Sequence, residues 1–515
     1  MSATVNHSLA DWLPAEQGPW HLDFEQWPQA QAQRWRAVLA VGAAGRKVLL
    51  AERDEDALLL QSVEARLQSP VRWKRCEAEA VTHWLGAGEA DFRALSDVEE
   101  ALVEAETVGS TEELSALRLS EQASPVVRLL NATLYDALQD GASDVHIECT
   151  ARGAVIRFRV DGVMAPVRQV ESAQVAERLV SRLKVMAELD IGERRLPQDG
   201  RFKLKVQGRE VDFRLSIMPS VFGEDAVVRV LDRARIELGE RGRGQLTLDA
   251  LGFDDEQRAA IRHQARQPHG MLLVTGPTGS GKTTTLYATL AEIHTGADKI
   301  ITIEDPVEYQ LPGVVQIPVN EKKGLSFSRG LRSILRHDPD RVMVGEIRDA
   351  ETAQIAVQAA LTGHLVFSTV HANNAFDVIG RFMHMGLDLY NVVSALNAVL
   401  AQRLVRLTCT HCAVPHQPAP EQLARHGLSV GAGRYLRGEG CGHCRGTGYR
   451  GRRAVAELLR LDDGLRDLIA QRAPMSTIKE TARSRGMTTL RAEALVAVTR
   501  GETTFEELER VTLDE

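Results

Sequence analysis

The apolar and polar positions in the carboxy-terminal half of the chain follow two alternating patterns. Short apolar runs predict buried strands, and segments in which apolar residues recur every three or four positions predict amphipathic helices. The predicted strands are 271–275, 299–303, 341–345 and 364–370, and the predicted helices lie near 254–265, 282–294, 327–336 and 350–361. Strands that alternate with helices predict an α/β fold, in which a parallel sheet is covered by helices.

The segments that follow this alternation differ in composition. Residues 374–404 are apolar on one helical face and are predicted to be helical, as is most of the charged tail from Val455 onward. Between them, residues 405–450 contain two pairs of cysteines and predict an inserted element. We assign 248–515 to one domain that includes this insertion.

The pattern over 121–235 predicts an α+β domain instead. Helices are expected at 126–140 and 175–189, and residues 143–148 are expected to lead into a strand. Further strands are expected at 154–160, 201–206, 210–216 and 226–231. The first of these strands ends at Asp161-Gly162, which is a hairpin signal. Residues 236–247 are rich in glycine and charge and poor in apolar residues, so they predict a hinge before the last domain.

Residues 1–88 form a further predicted domain, which contains all six tryptophans. It is expected to include a hairpin over 37–50 and a helix over 56–67. The tryptophans are interpreted either as a small aromatic core or as part of a docking surface, where tryptophan is enriched. Residues 89–120 are acidic and contain few large apolar residues, so they predict a solvated linker.

Composition restricts the class of protein. A chain of 515 residues exceeds one hydrophobic core, and its 44% hydrophobic and 26% charged content is typical of soluble globular proteins. The net charge of −8 disfavours a general nucleic-acid binder, although the total would not reveal a local basic face. No run of 18 apolar residues occurs, and the amino terminus lacks a secretory signal pattern. We therefore expect a cytoplasmic protein.

The most specific motif lies between an apolar run and a helical pattern. Residues 276–283 match G-x-x-x-x-G-K-[ST] in full, which is the phosphate-loop motif. The residues expected to bind nucleotide here are Gly276, Pro277, Thr278, Gly279, Ser280, Gly281, Lys282, Thr283 and Thr284. In such a loop Lys282 reaches the β- and γ-phosphates of ATP, and the Thr283 hydroxyl binds Mg²⁺. A Gly-rich turn that matches by chance is the alternative, which the flanking strand and helix disfavour.

Acidic and histidine side chains follow the other predicted strands. Ligands of an open parallel sheet bind outside the carboxyl ends of its strands, so these side chains are expected near the phosphate loop. Glu304 and Asp305 are both candidates for a contact to Mg²⁺, because Gly345 stands where a second acidic motif usually carries its aspartate. Glu346 is expected to orient or deprotonate the attacking water. His371 is interpreted either as a structural residue or, by its position, as a γ-phosphate sensor.

Two arginines of the middle domain lie in apolar strands. Arg214 and Arg229 either point to solvent with their stems on the surface, or grip the nucleotide phosphates when the domains close. A guanidinium is suited to stabilise charge on a transferred phosphoryl group.

The four paired cysteines predict a metal site. Cys409 and Cys412 form one C-x-x-C pair, and Cys441 and Cys444 form a second pair after a gap of 28 residues. In a cytoplasmic protein this pattern favours a closed, tetrahedral, structural Zn²⁺ site over disulfides. The alternative is four free thiols.

Taken together, the motifs resemble those of the secretion-superfamily ATPases that drive type II secretion and type IV pilus assembly. The resemblance covers roughly 120–515 and rests on 142–148 (ASDVHIE), 193–201 (ERRLPQDGR), the phosphate loop, 304–308 (EDPVE), 345–349 (GEIRD) and 368–373 (STVHAN). It implies a RecA-like ATPase lobe with a parallel sheet, preceded by an α+β (PAS-like) lobe and a small amino-terminal domain. The four-cysteine, zinc-binding insertion resembles the assembly branch of the family.

The resemblance also implies partners and roles. It implies a homo-hexamer in which Glu346 is the catalytic carboxylate and Arg214 and Arg229 contact phosphate. The amino-terminal domain would dock the cytoplasmic domain of an inner-membrane secretion protein, which would place the chain at that membrane through its partner. Acidic phospholipid is a further candidate partner, and no nucleic acid is expected.

The resulting hypothesis is a motor that uses ATP, Mg²⁺ and Zn²⁺ to drive pseudopilus assembly in type II secretion. Type IV pilus assembly is the first alternative; the first 120 residues lack a recognisable cyclic-dinucleotide-binding pattern, which favours secretion. A nucleic-acid translocase on the same core is disfavoured by the acidic net charge. A scaffold that binds nucleotide without hydrolysis is disfavoured by the intact Lys282, Thr283, Glu346 and His371.

Overall fold

The computed structural model describes most of the chain as two compact units, Met1–Asp232 and Arg233–Glu515. The described residues are 9–13, 20–24, 26–27, 29–42, 45–67, 69–91, 113–114, 124–206, 209–232, 246–431 and 433–512. The predicted hinge 236–247, apart from its last two residues, and most of the predicted linker 89–120 lie outside them. Across the described residues, no helix combines the length and apolar character needed to cross a bilayer.

The first unit begins with a four-stranded sheet in the order β1-β2-β3-β4. Its elements are α1 (Leu9–Trp12), β1 (His21–Leu22), α2 (Gln29–Trp35), β2 (Ala37–Val41), β3 (Lys47–Ala51), α3 (Ala57–Leu67), β4 (Val71–Arg75) and α4 (Ala78–Asp91). The antiparallel pair β2–β3 confirms the predicted hairpin, and α3 confirms the predicted helix. All six tryptophans lie in or against the core of this sheet, which agrees with the aromatic-core interpretation.

The rest of the first unit is a seven-stranded sheet in the order β5-β9-β10-β11-β6-β7-β8. Its elements are β5 (Glu113–Leu114), α5 (Pro125–Gln139), β6 (Ala142–Thr150), β7 (Gly153–Val160), β8 (Val163–Val170), α6 (Ala173–Met186), β9 (Gln198–Val206), β10 (Arg209–Ser220) and β11 (Gly223–Leu231). The buried faces of α5 and α6 share one hydrophobic core with the sheet, as expected of an α+β domain.

Two strands of this sheet were not expected from the sequence. β5 lies within the predicted linker and pairs with β9 at the edge of the sheet, so this part of the linker is a strand. β8 pairs with β7 and is largely exposed or half-buried, so its sequence carries no apolar alternation to reveal it.

The second unit is built on a seven-stranded sheet in the order β14-β13-β15-β16-β12-β17-β20. Its strands are β12 (Gly270–Thr275), β13 (Ile300–Glu304), β14 (Val315–Pro318), β15 (Arg341–Val344), β16 (Leu365–Val370), β17 (Leu396–Thr408) and β20 (Tyr449–Arg460). All neighbouring strands run parallel except β17 and β20, which are antiparallel. Met271 and Leu273 belong to one hydrophobic core, and Leu272 and Val274 belong to another, so the central strand is buried on both faces.

Helices cover this sheet and continue as far as Val511. They are α7 (Asp255–Ala265), α8 (Lys282–Ile293), α9 (Phe327–Ile334), α10 (Ala350–Leu361), α11 (Ala375–His384), α12 (Leu389–Ala395), α13 (Pro420–Arg425), α14 (Asp463–Ala470), α15 (Met475–Ser484), α16 (Leu490–Thr499) and α17 (Phe505–Val511), with short 3₁₀ turns at Leu248–Ala250, Glu321–Lys323 and Gly442–Cys444. The four helices and four strands predicted from the alternating pattern are all confirmed.

The prediction of helix over 374–404 was wrong from Leu396 onward. The chain forms α11 and α12 and then enters the long strand β17 at Leu396. Residues 398–402 of this strand are consecutively buried, so the sequence shows an apolar run rather than the alternation of a half-exposed strand. The tail is likewise extended up to Arg460, the end of β20, before its helices begin.

Candidate nucleotide site and metal centre

The phosphate loop connects β12 directly to α8, with Gly281 as the residue before the helix. Gly281 has φ +85° and Gly276 has φ +146°, a range that favours glycine. A Cβ atom at Gly276 would lie 2.5 Å from the carbonyl oxygen of Gln402 in β17, so only glycine fits against that strand. Residues 277–279 form the exposed tip of the loop, whereas Thr283 and Thr284 are half-buried in the first turn of α8.

Lys282 is buried, and its side chain folds back over the start of the phosphate loop. Its Nζ donates hydrogen bonds to the carbonyl oxygens of Gly276 and Pro277, at 2.9 and 3.0 Å. Burial lowers the pKa of this amine, and the nearby Glu346 carboxylate partly offsets that effect. The cation is therefore held at the loop by neutral carbonyl groups.

Glu346 and His371 follow the neighbouring strands β15 and β16. His371 Nε2 lies 3.5 Å from Glu346 Oε2, and the Arg348 guanidinium contacts the other carboxylate oxygen. The strand ends are tied together, because Ile347 N donates to the carbonyl oxygen of Thr369 at 2.9 Å. Since the charge of Glu346 also acts on Lys282, the structure brings three predicted site residues, Lys282, Glu346 and His371, to one edge of the sheet.

Glu304 lies at the end of β13, but its carboxylate is occupied by protein groups. It accepts hydrogen bonds from the Tyr287 hydroxyl, from Thr302 Oγ1 at 2.5 Å and from Gln316 Nε2 at 3.1 Å, and only 2% of the residue is exposed. In this structure Glu304 therefore connects α8 to β13 and β14. Asp305, the other candidate for a contact to Mg²⁺, is exposed.

Two further residues contact the phosphate loop and were missed by the sequence analysis. Gln402 is buried, donates from Nε2 to the carbonyl oxygen of Ser280 at 2.7 Å, and accepts from Thr285 Oγ1 at 2.7 Å. Arg403 follows it and donates to the carbonyl oxygen of Asn373 at 2.8 Å. Both belong to the part of β17 that was predicted as helix, so their position beside the loop was not expected.

The two predicted arginines of the first unit are neighbours in its larger sheet. Arg214 in β10 is directly opposite Arg229 in β11, and Arg201 in β9 is directly opposite Arg214 on the other side. Arg229 Nε pairs with Asp144 Oδ1 at 3.0 Å. These four residues border a cavity of about 510 Å³. Adjacent cations in register normally repel each other, so the row is suited to bind an anion.

The four predicted metal ligands lie together between the ends of β17 and β20. The Sγ–Sγ distances are 3.9 Å for Cys409 and Cys441 and 3.7 Å for both Cys412–Cys444 and Cys441–Cys444. Four sulfurs at about 2.3 Å from a tetrahedral zinc ion would be about 3.8 Å apart, so the cluster fits Zn²⁺. The pairs are too far apart to be disulfides, and all four cysteines are free.

The backbone around Cys444 is suited to a thiolate. Burial raises the pKa of the Cys444 thiol, but N–H groups of Cys441 and Gly448, at 3.2 and 3.3 Å from its sulfur, lower it overall to about 7. Residues 409–448, here termed the clip, also contain β18 (Ala413–Pro415), β19 (Leu436–Gly438) and α13. The rings of His411 and His443 stack at 3.9 Å between centroids, so the two cysteine pairs face each other.

The family is decided by a comparison of the sequence with models of known protein families. Residues 120–510 match the family described as type II/IV secretion system protein. The chain belongs to this family. The predicted resemblance to the secretion-superfamily ATPases is thereby confirmed, and the match spans every motif on which it rests.

Named relatives support an ATPase within the type II/IV secretion system family. The chain is 44% identical over 487 residues to type II secretion system protein E of Pseudomonas aeruginosa, covering 94% of this chain and 90% of that protein. It is 43% identical over 407 residues to the type IV pilus assembly ATPase PilB of Myxococcus xanthus, covering 78% and 70%.

A solved structure supports the fold of this family member. The ATPase DotB of Legionella pneumophila matches with a TM-score of 0.55 and 18% identity, covering 78% of this chain and 98% of that chain. At this level of sequence identity, the match supports the fold and nothing more specific. Together with the parallel sheet and the cysteine cluster, it confirms the predicted fold class.

Proposed function

We propose that the chain is a phosphate-loop ATPase that powers type II protein secretion by driving pseudopilus assembly at the inner membrane. The observation that carries the proposal is the meeting of Lys282, Glu346 and His371 at the edge of the sheet where the phosphate loop lies. The similarity to type II secretion system protein E, which spans nearly the whole of both chains, supports the choice of pathway.

The chain's own residues suit the successive tasks of hydrolysis. The loop N–H groups and Lys282 bind the phosphates of ATP. Glu346, held between Arg348 and His371, orients the attacking water or accepts its proton. The Thr283 hydroxyl and the exposed Asp305 are the groups suited to hold Mg²⁺, which supplies charge neutralisation at the phosphates.

Partners follow from the same proposal. The amino-terminal domain would dock the cytoplasmic domain of an inner-membrane secretion protein, which makes the chain cytoplasmic and peripheral at that membrane. Arg214 and Arg229 would contact phosphate within a homo-hexamer. Met218, Val221 and Phe222, at the β10–β11 turn, are exposed by 61, 91 and 59%, and apolar side chains exposed together support an interface at this turn.

Type IV pilus assembly is the second candidate function. Its support is the 43% identity to PilB of Myxococcus xanthus, although the match covers only 70% of that protein. The net charge of −8 remains the argument against a nucleic-acid translocase.

The test measures steady-state phosphate release by the purified full-length chain. We expect release that requires Lys282 and that rises with vesicles of acidic phospholipid carrying the cytoplasmic domain of the secretion partner. The corresponding partner domain from a pilus system serves as the comparison. If it stimulated phosphate release more than the secretion domain does, the function would be pilus assembly instead. Stimulation by DNA alone would favour a translocase, and release unchanged in Lys282→Ala would overturn the proposed site.

A further inference from the structure

Arg403 lies against the first glycine of the phosphate loop. Its Nη1 donates to the carbonyl oxygen of Gln402 at 3.1 Å and its Nη2 to that of Asn373 at 2.8 Å. A Cβ atom placed on Gly276 would be 3.2 Å from Nη1. The guanidinium is therefore fixed by two backbone carbonyl groups, with Nη1 beside Gly276 at the start of the loop.

The charge of Arg403 is only partly offset by a neighbouring acid. Among the described residues, no carboxylate forms an ion pair with it, and its hydrogen-bond partners are neutral carbonyl oxygens. Burial lowers the pKa of this guanidinium, and the charge of Glu457 offsets this only in part. Lys282 is also hydrogen-bonded to carbonyl groups, and repulsion from the charge of Arg403 lowers the pKa of its amine. Two buried or half-buried cations thus lie side by side at one loop, an arrangement that an anion would relieve.

The position of Arg403 points to one end of a bound nucleotide. Lys282, which in a phosphate loop reaches the β- and γ-phosphates, is bonded to the carbonyl oxygen of Gly276, the residue beside the Arg403 guanidinium. The other partner of Arg403, Asn373, belongs to the loop that begins at His371. Two of the five N–H groups of the guanidinium are used by carbonyls, so donors remain for a further acceptor at the loop.

We propose that Arg403 contacts the terminal phosphate of the bound nucleoside triphosphate and so discriminates ATP from ADP. The inference rests on the proposed function, because it requires nucleotide in the phosphate loop. Arg403 would be a second cation supplied by the same chain, from within β17, which lies on the other side of β12 from the strand that Glu346 follows. It differs in role from Gln402, which supports the loop itself and should serve both nucleotides equally.

The test compares the affinities of the full-length Arg403→Gln variant for Mg²⁺–ADP and for a non-hydrolysable ATP analogue by titration calorimetry. We expect affinity for the analogue to fall about 10- to 100-fold, the effect of one lost hydrogen bond to a charged group, and affinity for ADP to fall less than twofold. Arg403→Lys should recover part of the loss, because the charge remains while the fork of donors is lost. Arg425→Gln, which removes an exposed arginine of α13, is the matched control and should change neither affinity.

Equal losses for both nucleotides would overturn the inference and make Arg403 a support of the loop, like Gln402. Unchanged affinities would overturn it as well. Thermal unfolding without nucleotide checks that the variant is folded, and the Arg403→Lys variant answers the same question if Arg403→Gln is unstable. Lys282→Ala separates the two proposals: if it binds both nucleotides like the wild type, the nucleotide site itself is wrong, whereas a loss there with no effect at Arg403 removes only this inference.

Discussion

The imidazole of His371 lies 3.5 Å from the carboxylate of Glu346, across the ends of two neighbouring parallel strands. Arg348 contacts the other oxygen, so the carboxylate is held by a side chain on each side. A general base needs a fixed direction toward the water that it activates. The arrangement supplies this direction from the chain's own residues.

Replacement of that base should separate binding from turnover. In Glu346→Gln we expect the turnover number to fall about 10²- to 10⁴-fold, the usual contribution of a general base, with ATP affinity retained. Phosphate release and titration calorimetry on the same preparation measure the two quantities. Glu421→Gln, at an exposed acid on α13, is the control and should behave as the wild type. Near-normal turnover would remove Glu346 from the mechanism.

The buried Tyr287 hydroxyl should matter for stability more than for chemistry. Burial raises the pKa of this phenol, and the Glu304 carboxylate that it contacts raises it further, so Tyr287 remains a donor. Tyr287→Phe leaves one oxygen of a buried carboxylate without this donor, which should cost about 1–3 kcal/mol of stability. Faster hydrogen exchange in β13 and a lower midpoint of urea unfolding in Tyr287→Phe would show this loss of stability.

The exposed Tyr390 provides the comparison, because Tyr390→Phe removes the same hydroxyl from the surface and should change stability by no more than about 0.5 kcal/mol. If both variants unfold at the wild-type midpoint, the Tyr287–Glu304 contact contributes no net stability.

A buried lysine should hold the loop that follows α6. Lys184 is fully buried, and its Nζ contacts Glu224 Oε1 at 2.6 Å and the carbonyl oxygen of Glu193 at 2.7 Å. Lys184→Met leaves the half-buried Glu224 unpaired, which should cost about 3–5 kcal/mol. Hydrogen exchange over 188–197 should become faster in this variant.

The double variant Lys184→Met, Glu224→Gln should regain part of that stability, because no unpaired charge remains. Lys205→Met, at an exposed lysine of β9, is the single-site control. No gain in the double variant would show that the carbonyl contact to Glu193, rather than the ion pair, accounts for the loss.

Metal analysis should find one Zn²⁺ per chain, lost in Cys412→Ser and kept in Cys149→Ser. The effect of chelation should also reach the carboxy-terminal helices, because Arg434 N in the clip donates to the carbonyl oxygen of Thr499 at 2.8 Å, and Thr408 N, just before the clip, donates to that of Glu502 at 2.9 Å. Hydrogen exchange should accelerate over the clip and over 497–505 together. A metal-free chain with wild-type exchange in both segments would contradict the site.

The sequence predicted the central strands of the second unit because they are short apolar runs with strong boundaries. Thr275 is followed by the glycine loop, and Val344 is followed by Gly345 and an acid. The cysteine pairs were equally readable, since their spacing reflects ligand geometry directly. These features are local, so each can be predicted from one short stretch of sequence.

What failed depended on contacts between distant segments. The first part of β17, residues 396–404, was predicted as helix because burial on both faces hides strand periodicity. The approach of Gln402 and Arg403 to the loop was therefore missed. Glu304 resembles an acid open to a metal ion when only its own motif is considered. Its engagement by Tyr287 and Gln316 becomes apparent only when α8 and β14 pack beside it.

Strand β17 carries Gln402 at the phosphate loop and ends at Thr408, one residue before the first cysteine of the clip. Successive side chains of a strand point to opposite faces, so adding or deleting a single residue between Gln402 and Cys409 would turn one of these two features to the wrong side. The spacing between them is thus a fixed length, whereas the stretch from Cys412 to Cys441 can grow or shrink. Insertions and deletions among relatives are expected to fall in the second interval and to spare the first.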